Sequence, residues 1–202
     1  MAPANKSRKY PVDPYTRAEV EALIEASSPR FFASCRTRVM LALMWRTGIR
    51  VGECCSLALH DLRLDQPDRP DSLRVQQPKG AKRGKEPREV GIDEVAREYL
   101  DVWLKLRGNA PGFLFPTREG KRLDTSHMRR SIPKLAQKAG LTRRAHAHAF
   151  RHTFCREFQD EEGVKAIDLM EGLGHCSLGV TTRYARRCGG SPAVALMAKR
   201  AS

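Results

Sequence analysis

The chain has 202 residues, 41% of them hydrophobic, which points to one globular domain with a proper core, with or without a small appendage, rather than to disorder. Its formal net charge of +14 and pI near 10.0 call for a polyanionic partner; nucleic acid ranks ahead of an anionic membrane, because no amphipathic basic helix or lipidation signal accompanies the charge. No apolar run approaches the ~20 residues that span a bilayer, and "MAPANKSRKYPVDP" lacks the apolar centre of a signal peptide, so a cytoplasmic protein without membrane contact is expected.

Residues 1–14, basic and proline-containing, read as a tail or linker. "TRAEVEALIEAS" begins a helix: Thr16 and Glu19 fit a capping box, and Val20, Leu23 and Ile24 form the apolar stripe. "CRTRVMLALMWRTG" is a second helix, apolar nearly all round and therefore central, with Gly48 as its stop. "RVGECCSLAL" is a short third helix. "SLRVQQP" and "REVGI" then read as short strands on either side of the polar turn "KGAKRGK", fed by a Pro/Asp loop from Asp65 to Asp71. "DEVAREYLDVWLKLRG" returns to helix, with Val95, Tyr99, Val102, Trp103 and Leu106 assigned to its apolar face. "FLFP" is briefly extended, and "DTSHMRRSIPKLAQKAG" is a helix that Pro133 should kink or delay. Three more helices follow in "AFRHTFCREFQDEEG", "VKAIDLMEGLG" and "SLGVTTRYARR", and Ser191-Pro192 open a last one, "AVALMAKRA". The fold class is thus mainly α with a small antiparallel β-sheet (α+β).

The six cysteines are Cys35, Cys54, Cys55, Cys155, Cys176 and Cys188; none forms a C-x-x-C pair, and neighbouring Cys54 and Cys55 suit a disulfide poorly. His175 and Cys176 lack a second ligand pair at zinc spacing. Reduced, partly buried thiols are expected, with no metal and no cofactor.

Four features carry chemistry. Arg50 lies just past a helix end in "TGIRVGE"; Lys79, Lys82, Arg83 and Lys85 crowd one turn; His148 and Arg151 stand three apart and share a helix face; His175 precedes Tyr184 by nine positions. Taken singly, each is a commonplace of surfaces and packed helices; their order together is informative. A phosphodiester handled without a metal needs guanidiniums on the non-bridging oxygens, for which Arg50 and Arg151 are candidates. It needs a nucleophile that later leaves, and a phenol of pKa ~10 such as that of Tyr184 serves once positive charge and a base help it ionise. The departing sugar oxygen needs a proton, which a lysine on a turn can deliver, while His148 and His175 can move protons or hold the phosphate.

The ordered set resembles the tyrosine recombinase (phage integrase) family. "TGIRVGECCSL" is similar to its first arginine box, "PKGAKRGKEPREV" to its hairpin lysine segment, and "HAHAFRHTF" and "LGHCSLGVTTRYA" to its second and third boxes, a likeness running from residue 16 to about 188. The resemblance implies a catalytic domain that cuts and rejoins double-stranded DNA. Arg50, Lys79, His148, Arg151, His175 and Tyr184 match the family's active-site six. Tyr184 would form a 3′-phosphotyrosine, Arg50, Arg151 and His175 would hold the phosphate, Lys79 would be the general acid, and His148 would assist proton transfer. Lys82 and Lys85 are rivals to Lys79 on the same turn. Glu53, in the box of Arg50, is expected to orient basic groups rather than react. Lys82, Arg83, Lys85, Arg183, Arg186 and Arg187 are assigned to DNA backbone contacts.

The resemblance also implies a homo-tetramer on DNA, with the state off DNA, monomer included, left open. Residues 15–188 would be the catalytic domain, and 189–202 a tail helix with Val194, Leu196 and Met197 apolar, which packs on its own domain or docks on a neighbouring protomer. Most members carry an N-terminal helical domain that clasps the other side of the DNA; here about 15 residues precede the catalytic domain. The size is similar to that of single-domain DNA invertases, and a truncated piece would look the same. Half of the clamp is then missing, so strong independent DNA binding is not expected, and whether an accessory DNA-binding protein supplies it is left open. The rival readings are a recombinase remnant that binds DNA without cutting, and a type IB topoisomerase-like enzyme that nicks and reseals one duplex.

Overall fold

Thr16 opens the first helix, α1 (Arg17–Glu25), by the expected reciprocal cap: its hydroxyl accepts the Glu19 N–H at 3.2 Å, and its own N–H donates to Glu19 Oε2 at 2.8 Å. The computed structural model describes residues 14–76 and 87–161, together with Met197. The expected helices over 164–174 and 177–187 lie outside the described residues, as does the last helix apart from Met197.

α2 (Phe32–Thr47) is the centre of the domain and is buried over most of its circumference. It begins earlier than its apolar run suggests and stops at Gly48, which takes the left-handed conformation at φ 65°. α4 (Glu94–Arg107) and α6 (Ala147–Asp160) pack on it. Trp45 on α2 donates to Glu157 on α6 at 2.9 Å. Arg46, also on α2, pairs at 2.6 Å with Asp93, the residue that caps α4.

α3 (Val51–Cys54) is shorter than expected. The chain leaves the helix because Leu57 gives its carbonyl to Leu114 N–H at 2.7 Å, and Ala58 bridges Phe113; the extended "FLFP" stretch claims this backbone. A 3-10 turn (Leu59–Asp61) leads into β1 (Leu62–Arg63), a strand the sequence did not suggest. β1, β2 (Ser72–Val75) and β3 (Arg88–Gly91) form an antiparallel sheet in that order. Leu73 pairs with Val90 and Val75 with Arg88. The Pro/Asp loop is held by Arg97, which donates to Asp65 and Asp71 and to Asp101 of its own helix.

The apolar face assigned to α4 is corrected. Ala96, Leu100 and Trp103 are buried, whereas Val102 is 50% and Leu106 43% exposed. The helix carries apolar residues at i, i+4, i+7 spacing on two adjacent stripes, and periodicity alone does not choose between them. The stripe with Trp103 wins, since the ring packs against Phe32 and Phe115 and its N–H reaches the Leu114 carbonyl at 2.9 Å. Tyr99 is only half-buried and lies beneath the Arg38 guanidinium, 5.4 Å from its centroid. Pro133 does not delay α5 (Thr125–Lys138): Asp124 caps the helix by accepting the Ser126 N–H at 2.7 Å, and the proline sits inside it.

Cys35, Cys54, Cys55 and Cys155 are free thiols. Burial pushes the Cys54 thiol well above its ordinary value and Cys55 up to about 11. Among the described residues no helix is long and apolar enough to cross a membrane.

Candidate active site

The junction between α2 and α3 gathers the described site residues. After the left-handed turn at Gly48, Arg50 becomes the N-cap of α3. Its backbone N–H donates to Glu53 Oε2 at 2.7 Å, and its Nη1 to Glu53 Oε1 at 3.1 Å. The Arg50 side chain stays 38% exposed while that of Glu53 is 7% exposed, so the acid lies below and the guanidinium faces outward.

Arg151 comes from the first turns of α6. It is buried, and its Nη1 donates to the Gly48 carbonyl at 2.6 Å, a cation at the C-terminal end of α2. Burial, and after it the positive charge of Arg50, bring its pKa down to about 10. Two arginines distant in sequence therefore belong to one turn, where their shared positive charge suits an anion.

His148 is exposed one turn before Arg151 and lines an open groove of about 770 Å³ together with Val51, the residue after Arg50. Arg129, Arg144 and His146 belong to the same lining. Burial, then Arg144 and His148, lower the pKa of His146; burial, then His148 and Arg151, lower that of His152.

The start of α6 is fixed from the other end of the chain. The Tyr15 hydroxyl accepts the His146 N–H at 2.8 Å, the Tyr15 N–H donates to Thr153 Oγ1 at 2.8 Å, and the Tyr15 ring meets Phe150 edge-on at 5.0 Å. This segment holds the turn that carries His148 and Arg151.

Arg88 on β3 was not singled out from the sequence. It donates to both oxygens of Glu53, at 3.0 and 2.9 Å, and its side chain is 11% exposed. The signal was present in the alternation of "REV": Arg88 shares the inward face with Val90, and a charge on the buried face of a strand needs a partner. Arg129 and Arg144 were likewise not anticipated, since nothing in their local sequence sets them apart from surface charge.

Arg50, His148 and Arg151 are thus brought to one region. Lys79, Lys82, Arg83, Lys85, His175, Arg183, Tyr184, Arg186 and Arg187 lie outside the described residues. No group of three or more His, Cys, Asp or Glu that could hold a metal occurs among the described residues.

The arginine-led turn, the basic segment between β2 and β3 and the helix bearing His148 and Arg151 agree with a sequence comparison: the profile of the phage integrase family matches residues 15–188, and the chain belongs to that family. It is similar to the tyrosine recombinase XerC of Bacillus subtilis (strain 168), 32% identical over 174 residues, covering 82% of this chain and 54% of the relative. The XerC of Thermodesulfovibrio yellowstonii is 31% identical over 173 residues, covering 80% and 54%. Among solved structures, the XerA recombinase superposes with a TM-score of 0.69 at 27% identity, over 94% of this chain and 63% of its own. A XerH site-specific recombinase bound to its difH substrate superposes with a TM-score of 0.66 at 22% identity, over 86% and 50%, a likeness of fold alone. The fold is that of tyrosine recombinase catalytic domains. The chain spans about half the length of the curated relatives it matches.

Proposed function

We propose that this chain is the catalytic domain of a tyrosine-type site-specific recombinase that cuts and rejoins double-stranded DNA. The observation that carries the reading is the hydrogen bond of Arg151 to the Gly48 carbonyl, which sets Arg151 at the turn that carries Arg50, within a chain whose remaining motifs follow in family order. Arg50, Arg151 and His175 hold the scissile phosphate. The Tyr184 phenol oxygen attacks phosphorus as its proton passes to His148, and the bond from phosphorus to the 5′ oxygen breaks. Lys79, on the segment joining β2 to β3, gives a proton to that oxygen, which leaves as a 5′-hydroxyl. In the second half the 5′-hydroxyl of a partner duplex attacks the 3′-phosphotyrosine, and the phenolate departs and regains its proton. One phosphoester replaces another, so no ATP is consumed.

The arginine-lined groove beside His148, with Arg129 and Arg144, carries the charge a DNA backbone requires, together with Lys82, Arg83, Lys85, Arg183, Arg186 and Arg187. Exchange between duplexes calls for a tetramer on DNA, and a lambda integrase has been solved as a tetramer bound to a Holliday junction. A cytoplasmic location fits an enzyme of DNA. The test is incubation with nicked suicide duplexes carrying candidate sites from the surrounding genome. A covalent adduct that disappears in Tyr184→Phe supports the reading; a wild-type protein that binds such DNA and forms no adduct would make it a binding protein instead.

A further inference from the structure

The carboxylate of Glu53 uses all its acceptor positions on two arginines. Oε1 takes Arg50 Nη1 at 3.1 Å and Arg88 Nη1 at 3.0 Å; Oε2 takes the Arg50 N–H at 2.7 Å and Arg88 Nη2 at 2.9 Å. With Arg50 alone, the nearly buried acid would form a neutral pair with the guanidinium that faces outward. A neutral pair holds an anion poorly. Arg88 changes this balance: a second guanidinium shares the carboxylate, so Glu53 no longer cancels the charge of Arg50 alone. Arg88 is 11% exposed and forked onto Glu53, whereas Arg50 is 38% exposed and makes one side-chain bond to it. The larger share of the carboxylate therefore goes to Arg88, and Arg50 is the less compensated of the two. The fork also removes the freedom of Glu53 to rotate, and with it that of the N-cap.

We propose that Arg88 is a positioning residue for phosphate binding, which neutralises and orients Glu53 so that Arg50 keeps its charge and aim for the substrate phosphate. This rests on the recombinase reading for its substrate, but the charge balance itself can be read with inorganic phosphate. Arg88 does not touch the substrate; it acts through Glu53.

The experiment compares wild type, Arg88→Met, Arg88→Lys, Glu53→Gln and the double variant Arg88→Met/Glu53→Gln, with thermal melts of each. Two quantities are measured: single-turnover adduct formation on saturating nicked duplex, and inorganic phosphate binding followed by the Arg50 Nε–H resonance, assigned by its loss in Arg50→Lys. Arg88→Met should slow adduct formation about tenfold, less than the ~10²–10³ for losing a direct oxyanion donor. It should weaken phosphate binding in parallel. Adding Glu53→Gln should restore most of both, because the unbalanced carboxylate is gone; melts that recover while phosphate affinity stays low would show a structural role alone. Arg88→Lys keeps the charge without the fork and should stay close to wild type in phosphate affinity. It decides the matter should Arg88→Met fail to fold: an affinity as low as that of Arg50→Ala would overturn the proposal. So would a folded double variant no better than Arg88→Met. If the wild type forms no adduct, the recombinase reading fails, and the phosphate titrations alone support or overturn the role of Arg88.

Discussion

Arg88 on β3 and Glu53 on α3 meet guanidinium to carboxylate, with both hydrogen bonds made at 3.0 and 2.9 Å. Burial by itself would raise the Glu53 pKa; the hydrogen bond and charge of Arg88, then the backbone N–H and charge of Arg50, more than offset it and hold the carboxyl below its ordinary 4.5. An acid whose pKa is depressed by folding stabilises above its unfolded value, and that stability is lost as pH falls through the folded value. Urea midpoints should therefore decline as the solution is acidified below about pH 4.5. Glu53→Gln should be less stable at neutral pH by about 3 kcal/mol, with a shallower acid slope. An unchanged acid slope in the variant would show that the pair is not what titrates.

Gly48 does two things at the end of α2: it adopts φ 65° and offers its carbonyl to Arg151. Gly48→Ala should cost about 1–2 kcal/mol in urea unfolding, the penalty of a Cβ in the left-handed region. Adduct formation should fall as well, since Arg50 lies two residues further on. Loss of stability with full activity would mean that the turn does not position the arginines.

The Tyr15 hydroxyl is a partner of the His146 backbone at the start of α6. In Tyr15→Phe that N–H loses its acceptor, at a cost of about 1–2 kcal/mol. Amide exchange should quicken in the first turn of α6, where His148 and Arg151 sit, more than in α2. Uniform quickening across both helices would indicate global destabilisation instead.

Lys79 is proposed as the acid that protonates the leaving 5′ oxygen. A thiolate leaves without a proton. Lys79→Ala should therefore be inactive on ordinary DNA and recover on a duplex with sulfur at the scissile 5′ position. Recovery of Lys82→Ala or Lys85→Ala, and not of Lys79→Ala, would move the assignment along the turn.

Met197 is fully buried. Met197→Ala should then destabilise the free protein by about 2–5 kcal/mol. Docking on a neighbour would be a separate step on DNA. Deleting residues 190–202 should leave phosphotyrosine formation measurable and abolish exchange between two duplexes; intact exchange would rule out a docking role for the tail.

Local chemistry was readable wherever neighbours in sequence decide it. The Thr16–Glu19 cap, the stop at Gly48, the two paired strands and the shared face of His148 and Arg151 all depend on spacing within one element. Glu53, expected to orient basic groups, has Arg50 and Arg88 as hydrogen-bond partners. Other features were not readable. Two apolar stripes compete on α4, and only the ring contacts of Trp103 select one. α3 ends early because a segment more than fifty residues away takes the Leu57 carbonyl.

By itself the sequence determined the fold class, the family and the order of the boxes, because helix caps, periodicity and motif spacing are properties of adjacent residues. The tertiary structure alone decided that Arg151 lies against Gly48 beside Arg50, and that Arg88 is the counter-charge of Glu53. Those relationships join α6 to α2 and β3 to α3. They arise from burial, which leaves a charged group to find its partner wherever packing has brought one within reach.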